Sequence, residues 1–351
     1  MGEISSMSLI PLKLPPGISR NGTDFEQSGR WRDANLVRWH NNSLRPIGGW
    51  VERPVGGDAL SGVARGMLAW VDNSDNSNLA VGTNTNLYYI SEGGTSYDIT
   101  PTGFTTGDAT ASTNTGFGGG YYGGTSDSTD EDSLYGQEQP SSGVFQEVTT
   151  WSLDNWGEYL LAMTPDDGKL YEWDLDTNGV ADQVSNAPTN NRAMFVTEER
   201  FVFCLGAGGN PRKVQWSDQE DNTSWTASDT NQAGDFELQT TGQIMCGVRM
   251  KGRSLILTDN DAHTATYQGA PFVYGFERVG TACGVSSRKT LVAIDEGAFW
   301  MGKQAFFMFD GSVAKELPCE VSDYVFDDIN RDQITKAFAV HNSQFGEIWW
   351  F

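Results

Sequence analysis

One stretch of the chain has the residue types and the spacing of a calcium-binding loop. Its oxygen-bearing side chains stand at positions 1, 3, 5 and 9 of the pattern: Asp174, Asp176, Asn178 and Asp182. Gly179 stands at position 6, where the turn needs a flexible backbone, and Ca²⁺ takes oxygen ligands of this kind. Ser185 stands at position 12, where an EF-hand has a bidentate glutamate. Two interpretations remain open: a short calcium loop, which would be the only cofactor site predicted, and a plain Asp/Asn/Gly turn.

Residues for nucleophilic or acid–base catalysis form no recognisable pattern in the sequence. The three histidines are scattered along the chain: His40, His263 and His341. Neither a GxSxG nor an HExxH motif occurs. A glycosidase or lyase would need two carboxylates roughly 5–10 Å apart in a cleft, and the sequence places no such pair. We therefore predict that the chain is not an enzyme.

The charge of the chain excludes a conventional nucleic-acid-binding protein. The 351 residues include 23 Lys and Arg against 46 Asp and Glu, which gives a formal net charge of −23. A surface that binds nucleic acid neutralises phosphates with an excess of Lys and Arg, and this chain has the opposite excess. Residues 1–53 hold seven bases and five acids, whereas the remaining residues hold 16 bases and 41 acids. A mildly basic N-terminal segment therefore precedes a strongly acidic body.

The elements that would position such residues are strands. Helical periodicity is nearly absent, and the apolar residues form short clusters rich in Val, Ile, Phe, Tyr and Trp and bounded by Gly, Asn and Asp. The clusters pair as hairpins across five turns: 82–84, 165–168, 206–211, 259–261 and 302–304. A further hairpin strand begins at Glu347. Paired strands with such turns are typical of an all-β protein.

The hairpins repeat at intervals of roughly 40 to 55 residues, which is the period of a four-stranded propeller blade. We therefore predict an all-β fold, a β-propeller of about six blades over residues 54–351, preceded by an extended docking segment over residues 1–53. A Gly-rich acidic insertion at about 103–145 cannot build a core and is expected to be an exposed loop. Residues 349–351 read as the middle of a strand, so we expect a longer protein whose propeller is incomplete here.

The most informative stretch lies in the N-terminal segment. Its Pro/Gly-rich start is expected to be extended rather than helical. Residues 36–39 alternate as a strand, 41–43 supply a turn and 44–47 return as the partner strand. The candidate docking residues are Arg30, Arg32, Asp33, Asn35, Arg38, Trp39, Arg45 and Trp50. The arginines would either dock on an acidic partner by charge complementarity or pair with carboxylates of their own chain.

These residues carry a resemblance to a known family. The matching residues are Gly17-Ile18, Asp33-Ala34-Asn35, Val37-Arg38 and Gly48-Gly49-Trp50. They resemble the stretch that opens the tail hub or nozzle proteins of short-tailed bacteriophages, also described as packaged-DNA stabilisation proteins. Further short matches lie at 214–218 with Trp225, 235–238, 280–284, 309–311 and 348–350. The resemblance covers most of the chain outside 103–145 and implies a β-propeller without catalytic residues.

The resemblance also implies a place in a larger assembly. Members of the family form homo-hexameric rings around the DNA exit channel, between the portal or adaptor proteins and the distal tail parts (fibre, spike or needle). The chain would then lie in the virion tail, after assembly in the host cytoplasm, and help retain packaged DNA before ejection. An acidic wall would let double-stranded DNA slide past without specific binding.

Since no apolar run approaches about 18 residues, no membrane span is expected.

The alternative function is that of a carbohydrate-binding β-propeller in a receptor-recognition device. The twelve Trp and eighteen Phe of the chain are enough to line a sugar-binding face. Such rings more often pack between blades, where they bury large areas. Both interpretations of the aromatic residues stay open at this point.

Overall fold

The structure is a computed structural model that describes residues 14–52, 54–111 and 147–351. The chain folds as two compact units. Unit 1 is Met1–Arg53 with Pro318–Ile329, and unit 2 is Pro54–Leu317 with Asn330–Phe351. Nothing in the sequence indicated that residues 318–329 belong with the N-terminal segment. The predicted loop at 103–145 lies mostly outside the described residues, because only 103–111 of it are described.

Unit 1 contains one β-hairpin and one short helix. The elements are β1 (Val37–His40), β2 (Ser43–Pro46) and α1 (Ser322–Asp328). The turn residues Asn41 and Asn42 have φ angles of 50° and 60°, the left-handed values that a two-residue type I′ turn requires. Asn tolerates this conformation better than most residues. The turn fixes the register, which places Trp39 opposite Leu44.

Unit 2 consists of five complete sheets, which we call blades 1–5, and one shorter sheet, which we call sheet six. Blade 1 contains β3 (Gly56–Gly57), β4 (Ala64–Val71), β5 (Ser77–Thr83), β6 (Leu87–Ile90) and β7 (Thr95–Asp98). Blade 2 contains β8 (Ser152–Trp156), β9 (Tyr159–Met163), β10 (Leu170–Trp173) and β11 (Asp182–Gln183). Blade 3 contains β12 (Ala193–Val196), β13 (Val202–Leu205), β14 (Lys213–Trp216) and β15 (Gly234–Glu237).

The remaining sheets continue the same order along the chain. Blade 4 contains β16 (Ile244–Met250), β17 (Arg253–Thr258), β18 (Asp261–Gly269) and β19 (Val273–Thr281). Blade 5 contains β20 (Leu291–Ile294), β21 (Gly297–Met301), β22 (Phe306–Phe309) and β23 (Ala314–Leu317). Sheet six contains β24 (Ala339–Asn342) and β25 (Glu347–Trp350). Two 3₁₀ turns, Ala207–Gly209 and Arg331–Lys336, lie between strands.

The sheets stand around a common axis. One strand of each sheet contacts the corresponding strand of the next, in the order β4, β8, β12, β16, β20 and β24. We call these six the inner strands. Neighbouring strands within each sheet are antiparallel, except that β3 pairs parallel to β7. This arrangement is that of a β-propeller, so the predicted all-β propeller fold is confirmed.

Large aromatic and aliphatic side chains fill the spaces between blades. Three clusters of buried residues join blades 1 and 2, blades 2 to 4, and blades 4 and 5. Trp151 and Trp300 are fully buried, and their indole N–H groups donate to the carbonyls of Thr83 and Cys283, each at 2.7 Å. Gly82 permits this packing, because a Cβ there would lie 2.4 Å from the Trp151 ring. These buried rings therefore stabilise the stacking of one blade on the next.

Candidate functional site

The N-terminal segment is held in place by residues 318–329 within unit 1. The backbone N–H groups of Arg20 and Asn21 donate to the carbonyl of Glu320 at 2.8 and 3.0 Å. The Asn21 side chain donates to the carbonyl of Cys319 at 2.9 Å and accepts from the backbone N–H of Asp323 at 3.2 Å. The Arg20 guanidinium lies 4.1 Å from the ring centre of Tyr324. The segment is therefore anchored to a part of the chain about 300 residues away in sequence.

Several predicted docking residues pair within their own chain. Arg30 pairs with Glu320, Arg32 pairs with Asp24 at 2.6 Å, and Asp33 pairs with Arg20 at 3.2 Å. The carboxylates of these pairs are exposed and their arginines are partly buried, and ion pairs near the surface contribute about 0–1 kcal/mol each. For Arg30 and Arg32, the intramolecular pairing that the sequence left open is the one observed.

The remaining predicted docking residues lie on or beside the hairpin. Asn35 precedes β1 and is exposed, and Arg38 on β1 lies opposite Arg45 on β2. Like charges directly opposite each other on neighbouring strands repel. Trp39 is half-buried on β1, whereas Trp50 is 86 % exposed. Further exposed apolar side chains of the segment are Phe25, Leu36, Leu44 and Val51.

The segment 14–52 therefore presents a mixture of exposed apolar and basic side chains on an ordered scaffold. Phe25 and Val51 are each 91 % exposed, so these large apolar side chains face the solvent. The hairpin forms a sheet of only two strands among the described residues. Two-stranded sheets are marginally stable without further support. We take this segment, 14–52, as the candidate interaction site.

The predicted calcium loop is a series of tight turns. Asp174 accepts the backbone N–H of Asp176 at 3.2 Å, and Asp176 accepts the backbone N–H of Asn178 at 2.9 Å. Asp182 lies on β11, opposite Glu172 of β10. In residues 14–52, 54–111 and 147–351, no three His, Cys, Asp or Glu side chains are gathered closely enough to hold a metal ion. The geometry does not favour a calcium site, and calcium binding by this loop stays a prediction.

A polar network that the sequence did not reveal joins three inner strands. Asp154 of blade 2 accepts the backbone N–H of Val196 in blade 3 at 2.9 Å, and Arg249 of blade 4 pairs with Asp154 at 3.1 Å. Burial raises the pKa of Asp154, while the charge of Arg249 acts in the opposite direction. A charged residue in the middle of the strand 152–156 was the only signal, because its partners are 42 and 95 residues away.

A cavity of about 320 Å³ lies beside this network. Its wall includes Trp156, Glu198, Arg200 and Arg249. The Arg200 guanidinium lies 5.0 Å from the ring centre of Trp156, and Glu198 accepts the backbone N–H of Gly252 at 2.7 Å. The charged groups on this wall therefore already interact with other groups of the same chain.

The opposite ends of the inner strands carry a second group of charged residues. Arg288, just before β20, pairs with Glu147, which precedes β8, at 2.7 Å. Arg192, just before β12, donates to the side chain of Gln243, which precedes β16, at 2.5 Å. Burial lowers the pKa of Lys289 to about 8. The start of each of these strands is thus tied to another blade by a polar contact.

Comparison with known proteins supports the fold and goes no further. No family model and no curated protein sequence matches the chain. A catalytically inactive virginiamycin B lyase from Staphylococcus aureus with quinupristin is 8 % identical, with a TM-score of 0.44, over 98 % of this chain and 94 % of that one. The selenomethionine form of the lyase from the same organism is 6 % identical, with a TM-score of 0.39, over 71 % and 68 %.

A third similar structure is YCF48 bound to a D1 peptide. It is 10 % identical, with a TM-score of 0.38, over 75 % of this chain and 66 % of that one. Likenesses of this kind assign no ligand, partner or reaction to this chain. The resemblance to the phage tail proteins therefore stays a prediction.

The prediction that the chain is not an enzyme is wrong. It rested on the absence of catalytic motifs from the sequence, yet solved structures similar to this propeller include streptogramin B lyases, which are enzymes. Propellers build sites from side chains of several blades that are distant in sequence, so a missing local motif did not exclude catalysis. No particular reaction follows for this chain from a likeness in fold alone.

The structure also bears on membrane association. Within the described ranges 14–52, 54–111 and 147–351, none of the helices has the length and apolar character that crossing a bilayer requires.

Proposed function

We propose that this chain is the building block of a ring in the tail of a short-tailed bacteriophage. The ring surrounds the channel through which DNA leaves the head and helps to retain the packaged DNA before ejection. The observation that carries the proposal is the candidate interaction site. The residues that resemble the family lie on an ordered segment, 14–52, which exposes large apolar side chains such as Phe25 and Val51. Such a segment suits a protein that functions in an assembly.

The charge distribution supports a channel that does not bind DNA tightly. Residues after position 53 hold 16 bases against 41 acids. Phosphates are repelled by a surface of this sign, and without phosphate neutralisation no strong non-specific affinity develops. The DNA would therefore move along the channel without adhering to its wall.

The same charge distribution supports the proposal that other proteins bind to the two sides of the ring. Residues 34–51 contain Arg38 and Arg45 and no acidic residue. A basic, partly apolar surface of this kind fits an acidic surface of the portal or adaptor proteins, or of a second copy of this chain. Distal tail proteins, such as a fibre, spike or needle, would contact the opposite side. With these partners the chain would lie in the virion tail.

Two measurements on the purified full chain test the proposal. Native mass spectrometry at micromolar concentration is expected to give a species near six times the chain mass of 38.4 kDa. Electrophoresis with double-stranded DNA at low salt is expected to give no retardation, because the surface cannot neutralise phosphates. A monomer at all concentrations, or tight DNA binding that weakens steeply with salt, would contradict the proposal. Specific binding on a glycan array instead would favour the carbohydrate-binding alternative.

A further inference from the structure

Charged side chains from different blades meet at one end of the inner strands. Arg288, just before β20, pairs with Glu147, which precedes β8, at 2.7 Å. In the order of the inner strands, β12 and β16 lie between β8 and β20. Because blades 2 and 5 are not neighbours, the pair reaches across the propeller axis. The Arg288 guanidinium therefore lies near the centre of unit 2.

A second guanidinium lies beside the first. Arg192, just before β12, donates to the side chain of Gln243 at 2.5 Å, and Arg288 contacts the sulfur of Met245 at 3.7 Å. Gln243 and Met245 are two residues apart in the chain, a span of at most about 7 Å. Burial lowers the pKa of Arg288, and the positive charge of Arg192 acts in the same direction. The two arginines therefore repel each other near the axis.

A third arginine, Arg65, belongs to the same end of the propeller. It is the extra residue of a β-bulge in β4, and bulges redirect side chains. Its guanidinium donates to the carbonyl of Ala109. The preceding carbonyl, that of Asp108, accepts the backbone N–H of Thr149 at 3.1 Å, and Thr149 is two residues from Glu147. A short series of contacts thus joins Arg65 to the ion pair across the axis.

Buried donors at this end have no acceptor. The Nε atoms of Arg65 and Arg288 and the hydroxyl of Thr149 are buried, and none of the three has a hydrogen-bond partner. The Arg288 side chain is only 7 % exposed, so bulk water does not reach it freely. A buried donor without an acceptor is destabilising, and more so in a charged group. These atoms call for a ligand that is rich in acceptor oxygens.

Carboxylates are outnumbered at this end, although the whole chain has 46 acids against 23 bases. The carboxylates whose charge acts on Arg288 are Glu147 and Asp166. Glu147 is already paired with Arg288, and Asp166 accepts the hydroxyl of Thr164 at 3.0 Å. Two carboxylates therefore stand against the three guanidiniums. An oxyanion supplies both the missing negative charge and the missing acceptor atoms.

We propose that this end of the axis binds one small oxyanion, held by the guanidiniums of Arg192 and Arg288 and supported by Arg65. Arginine suits this task, because its planar fork matches the oxygens of phosphate and carboxylate groups. Since Arg288 is buried at the centre of unit 2, the site takes a small ion and not the backbone of a DNA duplex. The ion ties blades 1, 3 and 5 together. One chain builds the whole site, so the inference is independent of the proposed ring.

The test is calorimetric titration of the full chain with inorganic phosphate, at about 0.15 M NaCl to screen long-range attraction. One saturable ion per chain is expected, and Tm is expected to rise with phosphate concentration beyond the effect of NaCl at equal ionic strength. Arg192→Met keeps the apolar stem, removes the charge and is expected to weaken phosphate affinity about tenfold or more. The matched control is Arg212→Met, which removes an exposed arginine beside the same blade and is expected to change the affinity less than about twofold.

A second variant at the other arginine guards against misfolding. Arg288→Met would leave Glu147 without its partner, so Arg288→Lys is used, which keeps the charge but loses the fork and is also expected to weaken phosphate binding. Circular dichroism establishes that each variant keeps the native fold.

A parallel titration with citrate distinguishes the source of the oxygens. Tighter binding of citrate than of phosphate, with the same dependence on Arg192, would support the site and assign it to a carboxylate ligand. Absence of saturable binding by both ions would overturn the inference. Equal losses in Arg192→Met and Arg212→Met would overturn it as well, because the response would then follow net charge alone. The native mass of the chain is measured separately, so failure of the proposed ring is distinguishable from failure of this site.

Discussion

Replacing Asp154 separates two interactions that hold the inner strands of blades 2, 3 and 4 together. Its carboxylate accepts the backbone N–H of Val196 at 2.9 Å and pairs with Arg249 at 3.1 Å. The Asp154 side chain is only 13 % exposed, whereas that of Arg249 is 43 % exposed. Because burial raises the pKa of Asp154 despite the nearby guanidinium, the charge itself is unfavourable in the folded state. The hydrogen bond should therefore stabilise the network more than the ion pair does.

The two substitutions Asp154→Ala and Asp154→Asn should then differ. Alanine leaves the Val196 N–H without an acceptor, which costs about 1–3 kcal/mol, so we expect a loss of about 2 kcal/mol. Asparagine keeps an acceptor oxygen and removes the buried charge, and the exposed Arg249 loses about 1 kcal/mol at most. At roughly 2–4 °C per kcal/mol, Asp154→Ala should lower Tm by roughly 4–8 °C and Asp154→Asn by less than about 4 °C.

The pH dependence adds a second measurement. A carboxyl with a raised folded-state pKa binds more protons in the folded than in the unfolded chain between its two pKa values. Its contribution to stability is therefore present at low pH and is lost as pH rises through that window. Both variants should lack this contribution. Unfolding followed by circular dichroism and tryptophan fluorescence, at a concentration where all variants share one assembly state, provides the data. If Asp154→Asn is as destabilised as Asp154→Ala at pH 7, the ion pair holds the network and this reasoning is refuted.

Three other predictions concern packing, a partly buried lysine and the cysteines. Gly82→Ala should destabilise unit 2 by roughly 1–3 kcal/mol, because the added Cβ would overlap the fully buried ring of Trp151, and unchanged thermal unfolding would show that the ring can shift. Lys289→Met should stabilise the chain at pH 7 by on the order of 2 kcal/mol, because burial lowers the pKa of Lys289 to about 8. In denaturant titrations, the free energy of unfolding of the wild-type chain should increase from about pH 8 to 10, because the unfolded state binds more protons than the folded state there. The variant should lack this increase. With a thiol reagent at pH 8, only Cys319 should react quickly in the folded chain, because the other three cysteines are buried: Cys204, Cys246 and Cys283. Fast reaction of more than one thiol without denaturant would contradict their burial.

Local signals predicted the repeating architecture. The turn at 165–168 ends in Gly168, whose φ angle of 68° suits glycine, and the flanking clusters became β9 and β10. Asn41 and Asn42 likewise adopt the conformation that their type favours, and the predicted hairpin forms there. Strand period and turn chemistry act within a few residues, so a single sequence contains them.

Contacts between distant residues escaped prediction. The anchoring of Asn21 to Cys319 spans 298 positions, and the pairing of Arg249 with Asp154 spans 95. No local pattern encodes either contact, because each depends on how the chain closes in space. For the same reason the sequence could name Arg30 as a docking residue but not its partner, Glu320.

The proposed function requires that copies of this chain close into a ring around a channel. Cryo-electron microscopy of the purified full chain at micromolar concentration tests it most directly, because symmetry, hole size and neighbouring contacts are seen together. Closed sixfold rings with a central hole wide enough for a DNA duplex are expected. Single propellers without neighbours, or open chains of copies without a closed channel, would contradict it.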